Sequence, residues 1–348
     1  MANLEENIMH GKDNVILVDF KPGTEWKFLS GIKEKTLREW KVINYVSNKD
    51  RGSVRFNIKR YVKYFTFTFR IFLHRKEFSN IIAWQQFYGL IYAFYCRMFH
   101  CRKVNKLVVM TFIYKDKAGP IGYLYRSFIR YILRSNYIDR IICFSSGECS
   151  YYASLFQIKE DIFSFIPLGE ELPAADSAGT TEVDGEKDYI LAIGYSCRDY
   201  EFLIDTLKNK KYQVRIYADK NDCSSSSNIK MYKSISHNLI DLFSNSRCIA
   251  IPLKNTDIAA GQLSMLHAMQ LGKPVIVTDT KGAWDYISHG ENGFIAPNKK
   301  QVWLDYIDKM YNDEALYQSL CNNAVKRYQA YHSLEAMGRS IGNLVLSI

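Results

Sequence analysis

RCIAIPLKNTDIAAGQLSMLHAMQLGKPVIVTDTKGAWDYISHGENGFIAP, residues 247–297, reads as strand, loop, helix, strand, loop, helix. Ile249–Ile251 and Pro274–Thr278 are short apolar runs, the pattern of parallel strands buried on both faces. Between them Leu263, Leu266, His267, Met269 and Gln270 fall at helical spacing, and Gly272 supplies a stop. Such alternation builds a doubly wound sheet, in which loops at the carboxyl ends of strands line the ligand crevice. Here that loop, Lys254–Gln262, is polar and ends in Ala260-Gly261-Gln262 at a helix start. Unpaired N–H groups and the positive helix end suit a phosphate at such a place, although a glycine there also makes an ordinary tight turn.

The order of residues carries more than the periodicity. Leu266–Asp279 (LHAMQLGKPVIVTD), followed by Gly282, Asn292-Gly293 and Ala296-Pro297, resembles the nucleotide-sugar domain of family 4 glycosyltransferases. Those are retaining enzymes of the GT-B fold, so the resemblance implies two Rossmann-like, doubly wound parallel-sheet α/β domains facing a central cleft. The family pattern has a glutamate where His267 stands and a second where Ala259 stands; both carboxylates are absent. His267 can still hydrogen-bond a hydroxyl, and Asp257 is the candidate for the other acid. The alternative for His267 is a histidine packed on a buried helix.

At 348 residues, with 47% hydrophobic and 14% aromatic residues, the chain is long enough for two globular α/β domains. Its formal net charge of +10 is uneven: residues 1–168 hold 27 Lys/Arg against 14 Asp/Glu, and the remainder is slightly acidic. The first half is therefore the half expected to meet an anionic partner. Eight scattered cysteines show no paired spacing and no accompanying histidine cluster, which argues against zinc and against a disulfide framework. The first residues lack a signal-peptide core, and no run reaches the ~18 apolar residues of a spanning helix. A cytoplasmic protein is expected, peripheral on the inner face of the plasma membrane.

Taken in order, Asn14–Phe20 reads as a first buried strand, and the following turn offers Gly23 and Thr24 as acceptor contacts or as a plain turn after Pro22. In residues 51–76, Ile58, Tyr61, Val62, Phe65, Phe69, Phe72 and Leu73 recur at helical spacing among Lys59, Arg60, Lys63, Arg70, Arg75 and Lys76. Basic residues interleaved with aromatics suit an interfacial helix on anionic lipid, and also nucleic acid. Arg126, Arg130 and Arg134 repeat at i, i+4, i+8; between Arg51 and Arg134 there are 17 Lys/Arg and two acids, which favours a lipid or polyanion surface over a mixed solvated face. Asn80–Trp84 and Lys106–Phe112 read as further strands. Their ends place Trp84, Gln85, Gln86 and Lys115 as acceptor contacts, with Asp116 as a candidate base and Lys117 beside it. Asp139–Glu148 and Phe163–Gly169 again resemble the family, closing a first domain over 1–170. Residues 171–187 form an exposed linker, the second domain spans 188–331, and a last helix over about 332–348 is expected to return to the first.

The second domain opens with the strand Tyr189–Ile193, then Gly194, Tyr195, Ser196, Cys197, Arg198 and Asp199. Gly194 lets a ligand approach the backbone and Asp199 can cap the next helix. By the resemblance Arg198 is the diphosphate cation, with Met231 and Tyr232 beside the base. Donor binding is thus assigned to Gly194, Tyr195, Ser196, Arg198, Met231, Tyr232, Lys254, Asp257, Ala260, Gly261, Gln262, Leu263 and His267. The resemblance implies transfer of a sugar from a nucleotide-sugar to an acceptor hydroxyl with retention, without a cofactor or metal. Arg198, Lys254, His267 and Asp116 are the catalytic candidates. The basic half adds a lipid-linked or saccharide acceptor, as in capsular or exopolysaccharide assembly. The competing readings are a non-catalytic partner subunit and a nucleic-acid-binding α/β protein; no nucleic acid is expected under the first.

Overall fold

The computed structural model describes residues 12–45, 54–114, 116–172, 187–218, 226–233, 238–254 and 260–348. Lys115, Asp257 and Ala259, most of the expected linker, and most of the serine-rich loop at 223–227 lie outside the described residues. The chain divides into two compact units. The first comprises residues 1–143, 149–166 and 338–348, and the second 144–148 and 167–337.

The first unit carries a parallel six-stranded sheet in the order β2-β1-β3-β4-β5-β6. The strands are β1 (Asp13–Val18), β2 (Lys41–Asn44), β3 (Phe78–Ala83), β4 (Lys106–Val109), β5 (Arg140–Cys143) and β6 (Phe163–Phe165). Their apolar runs are dry: Val15–Val18, Ile81–Ala83 and Leu107–Val109 are at most 1% exposed. Helices α1 (Lys27–Thr36), α2 (Val54–Leu73), α3 (Gln86–Met98), α4 (Gly119–Leu133) and α5 (Ser146–Phe156) supply the crossovers that parallel strands require. The second turn of α12 (Leu334–Ser347) meets α1 closely: a Cβ on Gly338 would lie 2.3 Å from the Phe28 carbonyl oxygen, so only glycine fits.

Helix α2 divides the apolar positions found at helical spacing between two faces. Its buried stripe is Tyr64, Phe67, Thr68, Ile71 and Phe72. Tyr61, Val62, Phe69 and Leu73, also at helical spacing, are exposed. The helix is aromatic around most of its circumference, so two stripes satisfy the period and only tertiary packing selects between them. The α4 arginines are each engaged. Arg126 pairs with Asp116, Arg130 with the Gln157 side chain, and Arg134 donates to the Gln157 carbonyl.

The second unit holds another parallel six-stranded sheet, ordered β12-β11-β10-β7-β8-β9. Its strands are β7 (Tyr189–Ile193), β8 (Val214–Tyr217), β9 (Ile229–Tyr232), β10 (Ser246–Ile251), β11 (Val275–Thr278) and β12 (Gly293–Ala296). Helices α6 (Tyr200–Leu207), α7 (Leu239–Ser244), α8 (Gln262–Gln270), α9 (Lys281–Trp284), α10 (Lys300–Asn312) and α11 (Glu314–Arg327) complete it. Two apolar clusters form on the alternating faces of the strands. Tyr189, Leu191, Ile249, Ile251, Val275 and Val277 pack with α8 on one side, while Ile190, Ala192, Ile216, Ala250 and Ile276 pack with α10 on the other. The strand order reverses between β1 and β3 in the first sheet and between β7 and β10 in the second, and such switch points are where doubly wound sheets bind ligands.

Candidate functional site

At the β7/β10 switch point the chain makes a corner around one cation. β7 ends at Gly194, whose φ of +130° is open to glycine and strained for other residues. The loop then pairs antiparallel with the end of β10: Asp199 N donates to the Pro252 carbonyl at 2.9 Å, and Lys254 N to the Cys197 carbonyl at 3.0 Å. Thus fixed, Arg198 folds back over Gly194. Its guanidinium donates to the carbonyls of Ser196 at 2.9 Å and Ile193 at 3.3 Å, and to Ser264 Oγ at 3.2 Å. A Cβ on Gly194 would sit 2.4 Å from the Arg198 terminal nitrogen, so a side chain there would displace the cation.

Helix α8 starts at the same place. Its N-cap is Gly261, left-handed at φ +88°, and a Cβ there would meet Ile251 at 2.9 Å and Arg198 at 3.8 Å. Ser264, in the first turn, donates to the Ile193 carbonyl at 3.1 Å, tying helix to strand. Among the described residues, the three acceptors of Arg198 are uncharged. Among the described residues no carboxylate lies within ion-pair distance, and its buried Nε has no hydrogen-bond partner. Burial pushes its pKa down, yet an arginine remains cationic at physiological pH. A half-buried guanidinium with no charged partner among the described residues, beside the positive end of a helix, suits an anion.

A cavity of about 330 Å³ opens beside it, lined by Gly194, Tyr195, Arg198, Lys254, Met231 and Ala218. Tyr200 and Glu201 also line it; Tyr200 donates to the Gly194 carbonyl at 2.6 Å, and burial pushes its phenol up to about 12. Of the donor residues expected from sequence, Gly194, Tyr195, Arg198, Met231 and Lys254 share this cavity, Ser196 accepts from the guanidinium, and Gly261 caps α8 where an added Cβ would lie 3.8 Å from it. Ala260, half-buried, leads into the N-cap; Gln262 opens α8, and Leu263 is exposed. Tyr232 stacks on Tyr217 with ring centroids 4.7 Å apart, outside the cavity lining. His267 is half-buried one turn along α8, edge-on to Phe243 at 5.8 Å, and burial lowers its pKa to about 4, so it is neutral at pH 7. Ser264, Tyr200, Glu201 and Ala218 were not singled out in the sequence. Ala218 could have been, because it follows β8 and the strand-end rule applies there too.

The β1/β3 switch point of the first unit is built differently. Trp84 sits among Phe28, Trp26 and Phe20, with ring centroids 4.9, 5.1 and 5.8 Å away. Gln85 donates to Asp19 at 3.1 Å and caps α3. Gln86 turns aside and grips the backbone of Ile113 through both N–H and C=O. Gly23 and Thr24 lie in an open turn, with nothing within 4 Å of the Gly23 Cβ position. Asp116 accepts from Tyr114 at 3.2 Å, from Lys117 N and from Arg126, whose guanidinium holds the carboxyl below the usual carboxylate range. A carboxylate so engaged is a poor proton acceptor. The missed members of this corner, Asp19, Phe20 and Trp26, flank the end of a strand legible in the sequence.

Residues 200–327 match the family model described as glycosyl transferases group 1. A sequence comparison with curated proteins finds no match. Among solved structures, the chain is similar to HepE from Anabaena in complex with UDP, at 14% identity and a TM-score of 0.63, covering 97% of this chain and 100% of that one. It is also similar to sucrose-phosphate synthase from Thermosynechococcus elongatus, at 15% identity and 0.65, covering 97% and 99%. The lipopolysaccharide outer core galactosyltransferase WaaB matches at 12% identity and 0.62, again covering 97% and 99%. The fold is α/β with two six-stranded parallel sheets and matches GT-B glycosyltransferase structures. The family match over the second unit, with that fold, supports a glycosyltransferase.

Proposed function

We propose that the chain moves a sugar from a nucleotide-sugar to an acceptor hydroxyl with retention, binding the donor diphosphate at the Arg198 corner. The observation that carries this reading is a guanidinium with no paired carboxylate among the described residues, packed over Gly194 and tied to Ser264 in the first turn of α8. As the glycosidic bond to the diphosphate breaks, negative charge builds on the leaving oxygen. Arg198, Lys254 and the amides of Gly261–Leu263 stabilise it most where water is excluded. Three structures of HepE, with UDP, with UDP and glucose, and with UDP-glucose, support a nucleotide-sugar as donor. Retention rests on the resemblance of residues 266–297 to family 4, and proton NMR of the product anomer tests it; an inverted linkage removes it. With this chain's own cations serving the leaving group, turnover is expected to survive EDTA; loss of turnover restored by a divalent ion would overturn metal independence.

The acceptor is proposed to be a lipid-linked saccharide of a surface polysaccharide, met at an anionic membrane from the cytoplasmic side. The exposed face of α2 supports this reading: Val62, Phe69 and Leu73 stand among Lys59 and Arg70, and Met98 and Phe99 of the α3 end are exposed nearby, Phe99 stacking on Phe72 at 5.4 Å. Apolar insertion with cations at the headgroups is the pattern of an interfacial helix. No described helix is long and apolar enough to cross a membrane. Vesicle sedimentation tests the assignment: wild type should partition onto anionic vesicles and Phe69→Asp/Leu73→Asp should not, whereas equal partitioning onto neutral vesicles would refute it.

One observation favours a second reading, a partner subunit that binds without transferring. His267, where the family has a carboxylate, is neutral at pH 7. Binding of nucleotide-sugars without hydrolysis or transfer, over a donor and acceptor panel, would establish it.

A further inference from the structure

A second feature stands on the same rim of the second unit. Asp279 and Thr280 follow β11 directly, and the end of β11 is tied to the end of β10, where Thr278 Oγ accepts from Leu253 N at 2.7 Å. β10 is the strand that leads to Lys254, so neighbouring strand ends, about 5 Å apart, carry both features. Trp284, at the end of α9, is 55% exposed; Trp26, Trp40 and Trp303 are buried and Trp84 is half-buried. Its indole is held in place, because Nε1 donates to Asp279 Oδ1 at 2.8 Å.

Beside it lies the exposed ring of His289, centroids 6.3 Å apart and planes 32° apart, so the two rings form a shallow shelf. His289 is oriented from below. Its Nδ1 accepts from Ile295 N at 3.1 Å, which places the proton of the neutral ring on Nε2, 3.4 Å from the Tyr306 hydroxyl. Tyr306 in turn stacks on buried Phe294 at 4.4 Å. The shelf thus has a rigid footing, an aromatic upper surface, and at one edge a carboxylate whose one side-chain hydrogen bond among the described residues comes from Trp284.

We infer that the Trp284–His289 shelf is a saccharide subsite that holds a pyranose ring of a glycan. The apolar C–H face of a pyranose stacks on the indole, and its equatorial hydroxyls donate to Asp279. This is the combination of an apolar surface and a few placed polar groups by which pockets orient small ligands. The inference rests on the sugar-transfer reading for its choice of ligand, and extends it by placing part of the glycan on the second unit.

An array of immobilised oligosaccharides tests it, with calorimetric titration of UDP, GDP and ADP run in parallel on each variant. Wild type should be retained on at least one pyranose-containing glycan. Trp284→Ala should weaken that retention by about tenfold or more, as removal of a central aromatic anchor does. Trp284→Phe, which keeps a stacking ring, should recover most of it, and Asp279→Asn should weaken it severalfold. Nucleotide binding should be unaltered in all three. No glycan retained by wild type, or equal retention by Trp284→Ala, overturns the subsite. Failure of wild type to bind any of the three nucleotides overturns the donor reading instead.

Discussion

The two switch points of this molecule share a topology and differ in chemistry. At β7/β10 the loop residues converge on a cation: Gly194 at φ +130° makes room, Ser196 and Ser264 orient, and α8 adds the positive end of its dipole. At β1/β3 the corresponding loops converge on four aromatic rings, with Asp19 and Gln85 hydrogen-bonded beside them. A parallel sheet that reverses strand order offers a crevice at either point. Which ligand enters is set by a few side chains at the strand ends: one corner suits a diphosphate, the other a neutral, partly apolar group.

That contrast can be broken by substitution. Arg198→Ala should lower kcat by about a hundredfold or more, the scale seen when one preorganised group facing developing charge is lost. A kinetic assay that finds a change under tenfold would remove Arg198 from the leaving-group role. Gly194→Ala should follow, with a loss of about tenfold in kcat/KM, because the new methyl displaces the guanidinium and the backbone is strained by about 1–3 kcal/mol. A thermal melt alongside the kinetics separates the two causes.

In the aromatic corner, Gln85→Ala should raise the acceptor KM by about two- to tenfold, the worth of a hydrogen bond, and leave donor hydrolysis alone. An equal effect on donor hydrolysis would erase the division of labour. Asp116→Asn should change kcat by less than about threefold, since Arg126 already holds that carboxylate in its charged form; general bases contribute about a hundredfold or more. A hundredfold fall would make the first unit a catalytic partner.

Acidification sharpens the contrast at the level of stability. His267 and His332, both in the second unit, are held at about 4 by burial, with Arg327 adding to the effect on His332. Between pH 6.5 and 4 the unfolded chain binds more protons than the folded one, so the histidine contribution is intact above that window and lost as pH falls through it. Melting of the second unit should move to lower temperature across this range, and less so in His332→Gln. A flat profile would contradict the burial assigned to both rings.

Much of this was legible in the sequence because parallel strands announce themselves as dense apolar runs: Ile190–Ile193, Ile249–Ile251 and Val275–Val277 required no tertiary information. Lys254 could be placed from the strand-end rule, and Arg198 from the family resemblance of its loop. The fold-back of Arg198 could not, because it depends on two positive φ angles, at Gly194 and Cys197, and on Ser264 sixty-six residues away. The two stripes of α2 could not be told apart for a related reason: Tyr61, Val62 and Phe69 share the helical period of Tyr64 and Phe67, and only the position of α3 beneath Tyr64 and Phe67 decides which stripe is buried. Trp284 left no trace in any pattern, since one exposed aromatic among loop residues has no period.

The central claim is that a diphosphate is held by Arg198 and the N-terminus of α8. Calorimetric titration of UDP, GDP and ADP into wild type and Arg198→Ala measures it directly. At least one nucleotide should bind wild type and lose about tenfold or more in affinity in the variant, the worth of a charge-assisted contact to phosphate. Equal binding by the two proteins, or none by wild type, would contradict it.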